Sequence, residues 1–347
     1  GRRGVPDPFK TRAPGAPGGG PPPGLRRRAL SFEGTPSSAY SVLDITVRRG
    51  SAGGGGGDAG FRDGAGVRLE AGSLLLENVR LEGHVAASGD GGGVYSASGT
   101  SLRLVRSTVS GNRALRGGGL YAAGDVTLEK TTVSANASQG EGGGLYGAGA
   151  LRLFESTVSG NGALGAGLPV GRGGGVFIGE AGLLLSSHST VVANRALVGP
   201  GISLLGTAGS VAATVIAGNL TTDTALERNC GAPLGVVDGR NLSGDASCGF
   251  TGPSDLEDTD PDLWPLMRLG GLTATHVPRT SSPVIDAAGV GFCVEVDQRD
   301  APRPVDAGGG PECDIGAVEF TPDTDGGVVF VEGFETGNLS AWSGVVP

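Results

Sequence analysis

A unit of about 26 residues recurs through the first two thirds of the chain, and each clear copy opens on glycine. The openings lie 25 to 31 residues apart at Gly64, Gly91, Gly117, Gly142, Gly173 and Gly199. One copy runs from Gly91 to Asn112 and reads GGGVYSASGTSLRLVRSTVSGN. Such a period restricts the chain to stacked units, because one short unit cannot bury its apolar face without neighbours.

The aligned copies share apolar columns. The segments that align are SLLLENVRLEGH (73–84), SLRLVRSTVSGN (101–112), DVTLEKTTVSAN (125–136), ALRLFESTVSGN (150–161), LLLSSHSTVVAN (183–194) and SVAATVIAGN (210–219). One column contains Val67, Val94, Leu120, Leu145, Val176 and Ile202; a second contains Leu76, Leu104, Leu128 and Leu153, with Leu74, Leu102, Val126 and Leu151 two residues earlier; a third contains Leu81, Val109, Val133, Val158, Val191 and Ile216. A spacing of two residues is the periodicity of a β-strand.

Three short strands per repeat predict an all-β parallel β-helix, a β-solenoid in which like residues stack from coil to coil. Roughly seven coils between residues 41 and 245 would form a rod on the order of 35 Å long, since stacked strands lie ~4.8 Å apart. Parallel crossover connections are almost always right-handed, so we expect a right-handed helix. With the residues that flank the coils included, the sequence predicts a β-helix domain over 31–250.

Asparagine closes most copies and forms a column of its own. The members are Asn112, Asn136, Asn161, Asn194 and Asn219. Asparagine tolerates tight turns, and its amide can bond both its own turn and the next asparagine. The column therefore predicts a structural ladder. His84 occupies the same position in the first clear copy.

The composition indicates a folded chain, and the net charge argues against a nucleic-acid partner. Charged residues make up only 18% of the sequence and hydrophobic residues 38%, although glycine reaches 69 residues. Disordered chains lack the branched apolar residues that are abundant here. The net charge of −9 argues against a nucleic-acid partner, which needs a basic surface. No apolar stretch is long enough for a transmembrane helix.

The two ends differ from the repeats. Residues 1–30 are rich in proline, glycine and arginine and have no periodicity, which predicts a disordered basic segment. The chain begins with Gly1 rather than methionine, so we expect that an N-terminal part, including a secretion signal, is missing. The sequence further divides into a C-terminal cap over 251–320 and a tail over 321–347.

The repeats and the C-terminal third resemble a known group of proteins. The repeat GGGVY…LRLVRSTVSGN resembles the right-handed parallel β-helix proteins of the pectin-lyase-like superfamily and the repeats of chlamydial polymorphic outer-membrane proteins. Two segments resemble bacterial surface proteins with a choice-of-anchor Q domain. They are residues 241–289 and residues 293–320, and the second reads CVEVDQRDAPRPVDAGGGPECDIGAVEF. The tail VEGFETGNLSAWSGVVP (331–347) is similar to tails of secreted bacterial proteins. Asp300 departs from that pattern, which usually has glycine after DQR.

The resemblance implies an exported protein, extracellular or on the bacterial cell surface. Four cysteines allow three pairings. Pairing of neighbours, Cys230 with Cys248 and Cys293 with Cys313, would close two modest loops, and the resemblance points the same way. Structural disulfides fit an oxidising compartment outside the cytoplasm. The expected cap is therefore irregular and stapled by disulfides.

Outward positions are the places where a β-helix would carry function. An aromatic column consists of Tyr95, Tyr121, Tyr146 and Phe177, which could stack on sugars or on one another. Arg103 and Arg106 are the exposed cations of the same coil as Tyr95. We take these six residues as candidate ligand-binding residues, with the mutual stacking of the rings as the alternative.

Four aspartates follow the last repeat closely and are candidate calcium ligands: Asp255, Asp258, Asp260 and Asp262. Carboxylate oxygens suit Ca²⁺, but the segment lacks the spacing of an EF-hand loop. Ordinary loop acidity is the alternative explanation. No other cofactor is expected. The histidines His84, His188 and His276 are scattered, and the sequence supports no catalytic triad.

The repeats carry no cluster of carboxylates, which favours a secreted or cell-surface rod acting as an adhesin, a scaffold or a carbohydrate-binding protein. Its expected partner is a polysaccharide or a host or cell-surface glycan, and we expect a monomer. The alternative is a polysaccharide lyase or glycoside hydrolase of the pectin-lyase class, which needs clustered charged residues beside a loop. The one sizeable insertion, 164–172, contains Arg172 as its sole charge. A purely structural spacer is the third possibility.

Overall fold

A computed structural model describes residues 29–52, 62–165, 170–234, 239–252, 254–306 and 312–322. Nearly all of the predicted disordered segment 1–30 and of the tail 321–347 lies outside these ranges, as do four residues of the insertion 164–172. The described residues form the predicted all-β parallel solenoid, which makes about six turns. Seven or eight strands stack in each of its four sheets.

Each coil has four strands, not the three that the sequence predicted. Strands of three, five, three and two residues follow one another around the coil. The fourth strand was missed because two residues are too few to show an alternating pattern. In the coil that begins near Gly91, these strands are Val94–Ser96, Ser101–Val105, Thr108–Ser110 and Arg113–Ala114.

Equivalent strands of successive coils pair in parallel and form the four sheets. Sheet A contains β1 (Leu30–Phe32), β5 (Val67–Leu69), β9 (Val94–Ser96), β13 (Leu120–Ala122), β17 (Leu145–Gly147), β21 (Val176–Ile178) and β25 (Ile202–Leu204). Sheet B contains β2 (Ala39–Leu43), β6 (Ser73–Glu77), β10 (Ser101–Val105), β14 (Asp125–Glu129), β18 (Ala150–Phe154), β22 (Leu183–Ser187) and β26 (Thr207–Ala212). Sheet C contains β3 (Thr46–Arg48), β7 (Arg80–Glu82), β11 (Thr108–Ser110), β15 (Thr132–Ser134), β19 (Thr157–Ser159), β23 (Thr190–Val192), β27 (Val215–Ala217) and β29 (Leu242–Ser243). Sheet D contains β4 (Ser51–Ala52), β8 (Val85–Ala86), β12 (Arg113–Ala114), β16 (Ala137–Ser138), β20 (Gly162–Ala163), β24 (Arg195–Ala196) and β28 (Leu220–Thr221).

The register of the sheets reproduces the apolar columns of the sequence. Leu102 pairs with Leu74 on one side and with Val126 on the other. Val109 pairs in the same way with Leu81 and Val133. These side chains are fully buried and belong to one continuous core that extends through the stacked coils. Each coil therefore depends on its neighbours for burial, as in other repeat arrays.

The glycine triplets allow successive coils to approach closely at one corner. Gly117 has a φ of +59°, a conformation that other residues rarely adopt. A Cβ atom on Gly118 would lie 2.4 Å from the carbonyl oxygens of both Ala137 and Gly143. The triplets are thus structural turns in contact with the next coil.

The C-terminal segment, of which the structure describes residues 254–306 and 312–322, packs beside the last coil and back along the outer face of sheet C. Thr157 Oγ1 donates to Gln298 Oε1 at 2.6 Å, and Gln298 Nε2 donates to Thr132 Oγ1 at 3.0 Å. The backbone N–H of Ala317 donates to Thr190 Oγ1 at 3.0 Å. These polar contacts join one segment to three successive coils.

Both neighbour pairings of cysteines are present, which confirms the predicted disulfides. Cys230–Cys248 closes a loop with a sequence separation of 18, and Cys293–Cys313 one of 20. A short 3₁₀ turn at Ala246–Cys248 precedes the C-terminal segment. The described part of the segment is irregular apart from a second such turn at Val290–Phe292, as expected for the cap. No helix among the described residues is long and apolar enough to cross a membrane.

Candidate functional site

The asparagine column forms a continuous buried ladder. Nδ2 of Asn136 donates to Oδ1 of Asn161 at 3.0 Å, and the backbone N–H of Asn136 donates to the same oxygen. Nδ2 of Asn136 also donates to the carbonyl of Val109 on the preceding coil. The pattern recurs along the ladder at Asn112, Asn136, Asn161, Asn194 and Asn219. These residues are structural, because their polar groups are used within the turn.

The ladder is longer at its C-terminal end than the sequence indicated, and His84 occupies its N-terminal end, the position at which the sequence aligned it with the asparagines. Nδ2 of Asn219 donates to Oδ1 of Asn229, and Nδ2 of Asn229 donates to Oδ1 of Asp245 at 2.9 Å. At the other end, His84 Nδ1 accepts from the N–H of Gly50 at 2.8 Å, and Nε2 lies 2.9 Å from the carbonyl oxygen of Val47. His84 therefore makes the same two kinds of bond as an asparagine. Burial lowers its pKa.

The aromatic column forms a stack on the outside of sheet A. Ring centroids lie 5.5 Å apart between Tyr95 and Tyr121, 4.6 Å between Tyr121 and Tyr146, and 5.1 Å between Tyr146 and Phe177. Tyr146 and Phe177 are buried, whereas Tyr95 and Tyr121 are half-buried. Burial raises the pKa of Tyr121 to about 12, so its hydroxyl is neutral at physiological pH.

Arginines occupy much of the remaining aromatic surface. The guanidinium of Arg68 lies 5.0 Å from the centroid of Tyr95, and that of Arg116 lies 5.1 Å from the centroid of Tyr121. Arg116 also forms a two-bond ion pair with Asp90 at 3.1 and 2.6 Å. A ligand at this surface would meet ring edges, phenol hydroxyls and a guanidinium more readily than open ring faces.

The two candidate arginines, one in sheet B and one at the corner that follows it, lie in ion pairs. Nη2 of Arg103 lies 2.5 Å from Oε2 of Glu129 on the next coil. Nε of Arg106 lies 2.8 Å from Oδ2 of Asp300 in the C-terminal segment. Each hydrogen-bonded carboxylate raises the pKa of its arginine. The structure does not bring these two side chains together with the aromatic stack, which lies on a different sheet.

The four candidate calcium ligands have separate local roles. Asp255 accepts hydrogen bonds from the backbone N–H of Asn241 and of Gly252. Asp262 lies 3.5 Å from Nε of Arg279, and Asp258 and Asp260 are exposed. Within the described ranges, no three histidine, cysteine, aspartate or glutamate side chains are grouped closely enough to hold a metal ion. The geometry gives the calcium hypothesis no support.

One serine–histidine contact resembles part of a hydrolytic site but is buried. Ser159 Oγ lies 2.8 Å from Nε2 of His276, and Nδ1 of His276 lies 2.8 Å from the carbonyl oxygen of Trp264. A carbonyl can only accept, so Nδ1 carries the proton and Nε2 accepts from the serine. Both side chains are buried, and a carbonyl replaces the carboxylate of a triad. The contact positions the backbone of Trp264.

Trp264 lines a cleft that sequence reasoning did not identify. The cleft has a volume of about 470 Å³ and lies between the last coils of sheet C and the C-terminal segment. Val192 and Ala217 line it from the solenoid, and Glu227 and Asp260 contribute carboxylates. The cleft combines residues of the last repeats with residues of the irregular C-terminal segment that are far from them in the sequence, so no single pattern marked it in advance.

Comparison with known proteins identified no relative of this chain. No protein-family model matches the chain. No curated protein and no solved structure matches it either. What is shown is therefore a parallel β-solenoid with two disulfides, whereas membership of a particular β-helix family stays a prediction.

Proposed function

We propose that this protein is an extracellular or cell-surface rod that acts as a scaffold or adhesin and binds carbohydrate without cleaving it. The observation that carries the proposal is the use of outward side chains in contacts from coil to coil. The stacked rings of Tyr95 and Tyr121 and the ion pair of Arg103 with Glu129 both tie adjacent coils together. Such contacts favour a stiff display surface, and the disulfides fit an oxidising compartment.

The half-buried edge of the aromatic stack is the proposed glycan-binding surface of the solenoid. Tyr95, Tyr121 and Arg116 provide neutral hydroxyls and a cation beside apolar ring edges, and this mixture suits a sugar that has both hydroxyl groups and C–H faces. Polysaccharides and cell-surface glycans are the proposed partners. The resemblance of the C-terminal segment to choice-of-anchor Q proteins supports a bacterial surface location.

A screen against a panel of polysaccharides tests this function. Binding and release of reducing ends should be measured in the same wells, with and without Ca²⁺. We expect binding by the wild-type protein without product release, and weaker binding by Tyr121→Ala. Thr127→Ala on the outer side of sheet B is the matched control and should bind normally. Cleavage of a polysaccharide would favour the lyase or hydrolase alternative, and absence of all binding would favour a structural spacer.

A further inference from the structure

We propose that the cleft between sheet C and the C-terminal segment binds one or two units of a neutral saccharide. This inference rests on the proposed carbohydrate-binding function and places a second binding site on a different side of the solenoid. The volume of about 470 Å³ falls within the range of small-molecule sites, which is roughly 300 to 1,000 Å³. The cleft is thus large enough for a mono- or disaccharide.

The cleft offers an apolar wall beside an aromatic ring. Val192, Ala217 and Leu263 line it together with the half-buried indole of Trp264. The guanidinium of Arg279 lies 4.2 Å from the centroid of this ring. The guanidinium thus covers one face of the indole. The part of the ring that stays exposed in the cleft is suited to contact the C–H groups of a sugar, because it is large, rigid and apolar.

Each of two carboxylates in the cleft has one oxygen in hydrogen bonds with the described protein and a second oxygen that is free to accept from a ligand. Oε1 of Glu227 accepts from the N–H of Gly218 at 2.6 Å and from Nδ2 of Asn229 at 2.9 Å. Oδ1 of Asp260 accepts from the N–H of Asp262 at 2.9 Å. The second oxygen of each carboxylate has no hydrogen-bond partner in the part of the chain that the structure describes. Ionised carboxylates only accept, so the matching ligand groups are donors such as sugar hydroxyls.

The charge of the cleft excludes acidic sugars from the proposal. Glu227 and Asp260 contribute two negative charges, and Arg279 contributes one positive charge that also faces Asp262 at 3.5 Å. His276 is neutral, because burial lowers its pKa. The net negative potential would repel a uronate. A neutral sugar carries donors for the carboxylates and avoids this repulsion.

The wall that carries Trp264 is fixed before any ligand binds. The backbone N–H of Trp264 donates to the carbonyl of Val277 at 2.8 Å, and the backbone carbonyl of Trp264 accepts from Nδ1 of His276. Nε2 of His276 accepts from Ser159 on sheet C. The backbone that carries the ring is therefore tied to the solenoid through the buried His276. A site formed in advance loses less conformational entropy on binding.

Intrinsic fluorescence gives a direct test, because the chain has only two tryptophans, Trp264 and Trp342. The variant Trp342→Phe leaves Trp264 as the only reporter in the full chain. Titration with cellobiose and with chitobiose should change its emission in a saturable way, and digalacturonate should not. Replacement of the carboxylate in Glu227→Gln should weaken the binding of the neutral disaccharides about tenfold, as expected for one hydrogen bond to a charged group.

The control variant Tyr121→Ala separates this inference from the proposed function. If the cleft is the site, Tyr121→Ala in the Trp342→Phe protein keeps the fluorescence response. Binding that persists in Glu227→Gln and in Asp260→Asn but is lost in Tyr121→Ala would overturn the cleft site and leave the proposed function intact. No binding of any polysaccharide or disaccharide by the wild-type protein would overturn both. Equal binding of digalacturonate would overturn the preference for neutral sugars.

Discussion

The carboxylate of Asp300 forms a two-bond pair with the guanidinium of Arg106, with Oδ2 2.8 Å from Nε and Oδ1 3.1 Å from Nη2. The same Oδ1 lies 2.5 Å from Nζ of Lys130 on the next coil. Arg106 and Lys130 have φ angles of 48° and 49° at the corner between sheets B and C. One aspartate of the C-terminal segment thus joins two coils, and the pair with Arg106 lowers its pKa.

The variant Asp300→Asn should loosen the attachment of the C-terminal segment. Asparagine tolerates the φ of 65° at this position but removes the charge. The side chains are partly exposed, so we expect a loss of only about 0.5 to 1 kcal/mol of unfolding free energy, which shrinks in high salt. Urea denaturation at low and high salt measures it. The control is Glu129→Gln, which breaks the ion pair with Arg103 inside the solenoid. In this control, the amide exchange of the C-terminal segment should stay unchanged.

The variant Asn161→Ala should break the buried ladder in its middle. It leaves the backbone N–H of Asn136, one N–H of its Nδ2 group and the carbonyl of Val133 without the partner that the side chain of Asn161 supplies. Each unpaired buried group costs about 1 to 3 kcal/mol, so a total of at least about 3 kcal/mol is expected in equilibrium unfolding. Ser110→Ala, on the outer side of sheet C, should change stability by less than about 0.5 kcal/mol. Similar values for the two variants would contradict a structural ladder.

The solenoid was predictable because its residues repeat. The columns that contain Leu104 and Val109 are spaced at strand periodicity, and the register places them together in the core. The Asn112 column was predictable for the same reason. Each coil carries the same local preferences, so a weak signal in one copy is strengthened by the others.

The contacts of the C-terminal segment were not predictable from any repeat. Asp300 reaches Arg106 across 194 positions of sequence, and Thr157 reaches Gln298 across 141. Such pairs depend on how an irregular segment packs against a finished solenoid. The cleft residues Glu227 and Trp264 come together in the same way. The sequence offered one hint, since Asp300 stands where the choice-of-anchor Q proteins that this segment resembles usually have glycine.

The variant His84→Asn should reduce the sensitivity of the protein to acid. Burial lowers the pKa of His84, so the folded state binds fewer protons than the unfolded chain below pH 6.5, and stability falls as the pH falls towards the folded pKa. Asparagine makes the same ladder bonds and does not titrate. We expect similar stability at pH 7.5 but a smaller loss by pH 5, with a difference of up to about 1.4 kcal/mol per pH unit. Parallel pH profiles of denaturation midpoints for the two proteins would contradict this prediction.

Replacement of the buried Arg303 is expected to cause a large loss of stability. Its Nη1 donates to the carbonyl of Asp314 at 2.9 Å, its Nη2 donates to the carbonyl of Gly316 at 2.8 Å, and Nη1 lies 3.5 Å from Oε2 of Glu319. Both charged side chains are fully buried. Arg303→Met should therefore cost about 3 to 5 kcal/mol, because it leaves a buried carboxylate without its counter-charge.

The double variant Arg303→Met with Glu319→Gln distinguishes loss of the charge pair from loss of packing. Removal of both charges should recover part of the stability, since the uncompensated carboxylate is gone. Amide exchange of residues 312–322, measured with urea denaturation, should show faster opening of the segment in the single variant than in the double variant. If the double variant opens as fast as Arg303→Met, packing and the two carbonyl contacts of Arg303 account for its role, and the ion pair with Glu319 contributes little.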